Sequence, residues 1–368
     1  MKKNSIRPKS PKPNKRVCRV TIGMDLGDKA SRYCQLDEDG QVLQEGSIGT
    51  TRRAMTQTFA KMGRCRVAIE VGTHSPWVSR LLQSLGHEVI VANARQVKLI
   101  STSSRKDDRV DAQTLARLAR VDPQLLRPIQ HRSERAQGHL MVIHVRASLV
   151  EARTALVNTA RGLAKAVGER LPSCDADQMG VKQMESLPVG LQATLRLLLE
   201  AVESLTEKIQ ALDAKVEQIA RSEYPETALL RQVSGVGPLI ALTFVLTVED
   251  RERFQKSRDV GCYVGLRPKR SSSGESEPQL RITKEGDRYL RTLLVQGAHC
   301  ILGRRGPDTD LKRWGLKLCQ RGGSNAKKRA IVAVARKLAI LLHRLWVTGE
   351  VYEPLRNNQA RSGVNVAA

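Results

Sequence analysis

The sequence predicts an α/β N-terminal domain, then a long helical coiled-coil segment, then a mainly α C-terminal domain. Three observations carry this. Short apolar strands of period two, interleaved with a helix, fill roughly the first hundred residues. A heptad-like spacing of leucine, valine and isoleucine runs through the middle, and apolar helical segments with a glycine-rich turn follow from about residue 227. At 368 residues the chain is long enough for two or three cored domains.

Residues 1–16, MKKNSIRPKSPKPNKR, hold seven basic residues, three prolines and no acid, the composition of a disordered basic arm. In RVTIGMDLG, Val20, Ile22 and Met24 share one strand face; Thr21, Gly23 and Asp25 share the other. YCQLDEDGQVLQEG reads as a hairpin turning at DEDG. RVAIEVG (66–72) repeats the first design, with Val67, Ile69 and Val71 opposite Ala68 and Glu70. PWVSRLLQSLG predicts a helix ending at Gly86, and HEVIVAN (87–93) a further strand. RKDDRVDAQTLARLAR (105–120) opens another helix with acids at its head.

From about residue 134 the pattern is helical. Leu149, Leu156 and Leu163 recur every seven residues up to Leu171-Pro172. After a break at 172–190, Leu198, Val202, Leu205, Ile209, Leu212, Val216 and Ile219 alternate by four and three, an a/d seam ending at Tyr224-Pro225. Two such helices pack on each other or on another chain. LLRQVSGVGPLIALTFVL sets a Gly-Val-Gly-Pro turn between apolar segments, as in a helix-hairpin-helix-like element. Such a turn suits a phosphate or plain packing equally. GLRPKRSSSGESEPQLRITKEGDRYLR (265–291) has a Ser/Gly-rich centre between basic flanks, and AKKRAIVAVARKLAILLHRLW is a last helix. The predicted divisions are 1–16 (arm), 17–130 (α/β), 131–226 (long helices, coiled coil), 227–348 (mainly α) and 349–368 (flexible tail).

Composition narrows the function. Lys and Arg number 62 against 37 Asp and Glu, a formal net charge of +25, which points to a polyanionic partner. Aromatics are only 3 %, too few for broad base-stacking platforms. Seven cysteines without a CxxC pair argue against a zinc ribbon or disulfide scaffold and fit a reducing cytosol. No apolar run reaches the roughly 18–20 residues of a membrane span, and the N-terminus has no apolar stretch of the signal-peptide kind.

In so basic a chain the acids stand out. Asp25 and Glu70 sit at or near the ends of two strands, and they share a side and an end if those strands are neighbours. Asp108 and Asp111 are three apart on a helix, so they share a face. Acids at a helix head suit its macrodipole, and Asp107 suits the cap. As a converging set, the four repel by about 4 kcal/mol per pair at 4 Å and an effective dielectric of 20. Oxygen-only ligands favour Mg²⁺ or Mn²⁺, and two such ions about 3.5–4 Å apart serve phosphoryl transfer.

IGMDLGDK, VAIEVGTHSPW and RKDDRVDAQTLARLAR resemble, in order, the D, E and D-x-x-D blocks of the IS110 family of insertion-sequence transposases. LLRQVSGVGPLIALTFV, VGLRPKRSSSG and KEGDRYLRTLL resemble that family's C-terminal transposase domain, in its IS1111 branch. The similarity runs from about residue 20 to about 345. It implies an RNase H-like, resolvase-like N-terminal domain in which Asp25, Glu70, Asp108 and Asp111 hold divalent ions. It also implies a nucleophilic serine just before a glycine, here Ser273, with Ser271 and Ser272 as neighbouring alternatives. The GES that continues from Ser273 departs from the GGK-like run of relatives.

The activity implied is DNA strand exchange through a phosphoserine intermediate, by dimers to tetramers guided by a structured bridge RNA that pairs with donor and target double-stranded DNA. The location implied is the prokaryotic cytoplasm. Arg267, Lys269, Arg270, Lys284, Arg288 and Arg291 are candidate phosphate contacts, against a solvated basic face. Two rival functions remain: a metal-dependent, Holliday-junction-resolvase-like nuclease without a serine step, and a non-catalytic nucleic-acid-binding protein whose acids only cap and fold.

Overall fold

The computed structural model describes residues 19–93, 108–185, 187–270 and 280–357. The basic arm, Asp107 and residues 271–279 lie outside the described residues. Two compact units divide at Arg132/Ser133.

The first unit is built on a five-stranded sheet in the order β3-β2-β1-β4-β5. Strands β1 (Thr21–Asp25), β2 (Ala30–Leu36) and β3 (Val42–Gly49) form an antiparallel meander; β4 (Arg66–Glu70) and β5 (Glu88–Ala92) run parallel to β1. The DEDG turn forms because the Asp37 carboxylate accepts the backbone N–H of Asp39 (2.9 Å) and Gln41 (2.8 Å), while Gly40 takes a φ of +82°.

Helices α1 (Arg52–Phe59) and α2 (Ser75–Ser84) cover one sheet face, where Ile22, Met24 and Ile69 meet Met55, Phe59, Val78 and Leu82. The apolar periodicity did not reveal α1. It is a two-turn helix with only Met55 and Phe59 buried, started by the Thr51 hydroxyl accepting the Ala54 N–H (3.2 Å). Helix α3 (Asp108–Val121) covers the opposite face, packing Ala112, Leu115, Ala116 and Ala119 over β1, β2, β4 and β5. The face expected to carry only Thr21, Gly23 and Asp25 is therefore covered as well.

In the second unit, α4 (Glu134–Ala166) and α5 (Val189–Glu223) pack on each other as an antiparallel hairpin. Val157, Ala160 and Ala164 meet Leu195, Leu199 and Val202 at one end; Ala136, Leu140 and Ile143 meet Val216, Ile219 and Ala220 at the other. Of the predicted seam, Val202, Ile209, Val216 and Ile219 are buried, whereas Leu198, Leu205 and Leu212 are half-buried. Leu195, Leu199 and Thr206 take the inner positions, because the contact face on α5 is turned slightly from the heptad line.

Helix α6 (Thr227–Leu230) is a single turn, followed by α7 (Pro238–Val248), whose Ile240–Val248 stretch is entirely buried. One side of α7 joins the foot of the hairpin through Leu242 and Leu246; the other packs into the largest core. That core takes residues from α9 (Arg288–Leu302), α10 (Asp310–Cys319) and α11 (Ala326–Thr348), with the short α8 (Val260–Tyr263) beside them. The helix-hairpin-helix-like element is short and closely packed at its turn. Its first helix is four residues long, and a Cβ on Gly235 (φ +83°) would stand 2.9 Å from the Gly297 carbonyl of α9.

The start of the expected flexible tail is also tied down. Asp310 N–H donates to the Pro354 carbonyl (2.7 Å), Tyr352 N–H to Gln232 (2.9 Å) and Asn357 N–H to Asp310 (2.8 Å). Residues 358–368 lie outside the described residues. Among the described residues, no helix is long and apolar enough to cross a membrane.

Candidate active site

Asp25 is the last residue of β1 and Glu70 the last of β4. The two strands are parallel neighbours, and the pairing Met24↔Ile69 makes Asp25 and Glu70 next in line. Their strand faces are those of Gly23 and Ala68, which lie under α3. Asp108 and Asp111 occupy the first turn of that helix. Asp108 is exposed, the other three half-buried.

Burial and mutual repulsion act on two of these side chains. Burial, then Asp108 and Asp111, push the Asp25 carboxyl above the ordinary aspartate range, against a lowering hydrogen bond from the Leu26 backbone. Burial, then Asp25 and Asp111, raise Glu70 likewise. The donor set is all carboxylate, and burial together with fellow acids holds two of its members upward, a condition that a hard divalent cation would relieve. No three His, Cys, Asp or Glu side chains among the described residues already stand at metal-ligating spacing.

Sequence reasoning missed a clamp at this end of the sheet. The Trp77 indole N–H donates to His74 Nδ1 (3.1 Å), which leaves the His74 proton on Nε2, facing Asp28 Oδ1 at 3.4 Å. Asp28 follows Asp25 by three residues and His74 follows Glu70 by four, so this contact ties the segments after the two acid-bearing strands. The signal was the THSPW run directly after the glutamate strand.

In the second unit, the chain on either side of residues 271–279 is drawn together. Lys269 N–H donates to the Arg281 carbonyl (2.9 Å), Thr283 N–H to Arg267 (2.9 Å) and Lys284 N–H to Gly265 (3.1 Å). Gly265 (φ +71°) is indispensable there, because a Cβ would stand 2.1 Å from the Glu285 carbonyl oxygen. Ser273, Ser271 and Ser272 lie outside the described residues. Arg267, Lys269, Arg270, Lys284 and Arg288 are exposed along this ladder and at the start of α9. Arg291 differs: its Nη1 donates to the carbonyls of Val264 (3.0 Å) and Glu285 (2.9 Å), and burial lowers its pKa. It braces the ladder from within, unlike the five exposed residues.

Comparison with known proteins fits this arrangement. Residues 22–168 match the DEDD transposase family of IS110, and residues 227–312 the transposase family IS116/IS110/IS902. The transposase for insertion sequence element IS1111A of Coxiella burnetii is 30 % identical over 344 residues, covering 90 % of each chain. The chain belongs to the IS110 family of insertion-sequence transposases.

A probable family 20 transposase of Pseudomonas aeruginosa is 28 % identical over 341 residues, 90 % of this chain and 98 % of that one. The transposase for insertion sequence element IS1328 of Yersinia enterocolitica is 27 % identical over 340 residues, with the same two shares. As an IS110-family transposase the chain acts on DNA. Its first family match contains all four acids, and its second contains Ser273 and the six basic residues singled out above.

Proposed function

We propose that this transposase cuts and rejoins DNA strands through a serine–DNA link, with Asp25, Glu70, Asp108 and Asp111 holding two divalent ions, Mg²⁺ or Mn²⁺. The observation that carries the proposal is the gathering of the four acids where β1 and β4 end beneath the head of α3. The sheet order, with β1 central and two strands parallel to it, supports an RNase H-like assignment. Divalent ions at these carboxylates would polarise the scissile phosphate and ease loss of the serine proton.

The Ser273 Oγ forms a bond to phosphorus as the bond from phosphorus to the leaving sugar oxygen breaks. The hydroxyl proton leaves the serine, and the departing oxygen takes up a proton. A sugar hydroxyl later reverses the exchange, so no nucleotide hydrolysis is needed to reseal the strand. Exposed Arg267, Lys269, Arg270, Lys284 and Arg288 hold phosphates of the DNA or of a structured bridge RNA, which supplies sequence choice by base pairing. Half-buried Leu198, Leu205 and Leu212, with Leu163 45 % exposed, support assembly into dimers or tetramers along the hairpin.

The test is trapping. Wild-type protein with donor and target DNA should yield a covalent adduct that maps to Ser273 by mass spectrometry. Ser273→Ala should give no adduct and no recombination, while Ser271→Ala and Ser272→Ala retain both. Recombination by Ser273→Ala refutes the serine step. Co-purification of one abundant structured RNA supports guidance; random cellular RNA counts against it. A nuclease without a serine step is the second reading, favoured by the fact that all four acids belong to the first unit alone. It predicts cleaved DNA without an adduct.

A further inference from the structure

Gly23 lies two residues before Asp25, on the same strand face, and has no room for a side chain. A Cβ at this position would stand 2.1 Å from the Ala112 carbonyl oxygen, 2.3 Å from the Ala116 nitrogen and 2.9 Å from the Ala116 Cα. All three are backbone atoms of α3, so no rotamer change can move them aside. The helix backbone therefore rests directly on β1, and Ala112 is the residue immediately after Asp111.

Other contacts hold α3 down on either side of this point. Near its C-terminus, Arg66 Nη1 donates to the Ala119 carbonyl (3.0 Å) and Arg120 Nη1 to the Glu38 carbonyl (2.9 Å). In the first turn, Arg109, which stands between the two α3 acids, pairs with Glu45 of β3. Buried Ala112, Ala116 and Ala119 complete a seam of small side chains. The helix is thus pinned at both ends, and its height over the sheet is set where the missing side chain lies.

We infer that Gly23 is a positioning residue that sets the distance from Asp25 on β1 to Asp108 and Asp111 on α3, and through it how tightly these carboxylates would hold divalent ions. The inference rests on the acid-site reading above. An alanine at 23 would lift α3 by about 1 Å or more before its Cβ reached an ordinary contact, beyond the roughly 0.5 Å within which a functional constellation must be held. Gly46 provides a control in the same sheet. Its Cβ would meet the Tyr33 side chain, 2.8 Å from the hydroxyl and 2.9 Å from the ring, and Tyr33 packs in the core on the sheet face opposite α3.

The experiment is Mn²⁺ titration of the full-length chain, followed by electron paramagnetic resonance, with circular dichroism to report folding. Folded Gly23→Ala should bind Mn²⁺ at least about tenfold more weakly, whereas Gly46→Ala should bind as wild type does. Adding Asp111→Glu to Gly23→Ala should recover part of the affinity, because a carboxylate one methylene longer reaches back from a raised helix. A role in stability alone would not produce that rescue. Wild-type affinity in folded Gly23→Ala overturns the inference. If Gly23→Ala does not fold, Ala112→Ser, which adds one atom to the seam from the helix side, carries the test by the same criterion. If the wild type binds no Mn²⁺, the acid-site reading itself fails, a result distinct from equal binding by wild type and variant.

Discussion

Asp111 is the charge that both strand acids feel, since it raises Asp25 and Glu70 alike. Asp111→Asn should lower recombination at least about 100-fold while DNA binding persists, as comparison of strand-exchange and gel-shift assays will reveal. Burial of the two strand acids, with the neighbouring carboxylates adding to it, brings a pH effect. A carboxyl whose folded pKa is raised takes up its proton more readily in the native state. With divalent ions chelated, its stabilising contribution is therefore full below the ordinary values of 3.8 for Asp25 and 4.5 for Glu70, and is lost as pH rises through the raised values. Urea melts of the chelated protein, taken in steps upward from about pH 4, should show this decline, and Asp111→Asn should lessen it only in part, because burial is the larger cause. Strand parity made the common face of Asp25 and Glu70 legible in the sequence. The internal bonds of Arg291 were not legible, because nothing local separates a strut arginine from a phosphate-binding one.

Among the elements, the ladder flanking residues 271–279 depends on a left-handed glycine with no free space. Gly265→Ala should destabilise the second unit by about 1–3 kcal/mol and depress recombination, whereas Gly237→Ala, whose Cβ meets nothing, should cost less. Differential scanning calorimetry of the two variants checks this. In the hairpin, Leu199 is buried and Leu198 only half-buried. Leu199→Ala should cost about 2–4 kcal/mol and Leu198→Ala distinctly less in the same measurement. The sequence announced long helices at these positions, because apolar spacing reports that a helix has a buried side. It did not say which leucines face inward, since the contact face is chosen by the partner helix. The short helix α1 escaped notice because two buried residues make no periodic signal.

On the scale of the whole molecule, charge and chemistry should separate. Chelation of divalent ions should abolish strand exchange and leave DNA binding nearly intact, as parallel gel-shift and recombination assays will test. Replacing Arg267, Lys269, Arg270 and Lys284 together by alanine should flatten the salt dependence of duplex binding, by about 0.9 in the log–log slope for each phosphate left unneutralised. The sequence by itself determined the kinds of element, the basic character and the family, because alternation, composition and ordered motifs are local properties of a chain. Only the tertiary structure decided that α3 rests on β1 at Gly23, that α4 and α5 pair within one chain, and that Gly235 of the Gly-Val-Gly-Pro turn packs against α9. Each of those outcomes depends on which backbone or side chain arrives from elsewhere in the polymer, and close packing leaves room for only one.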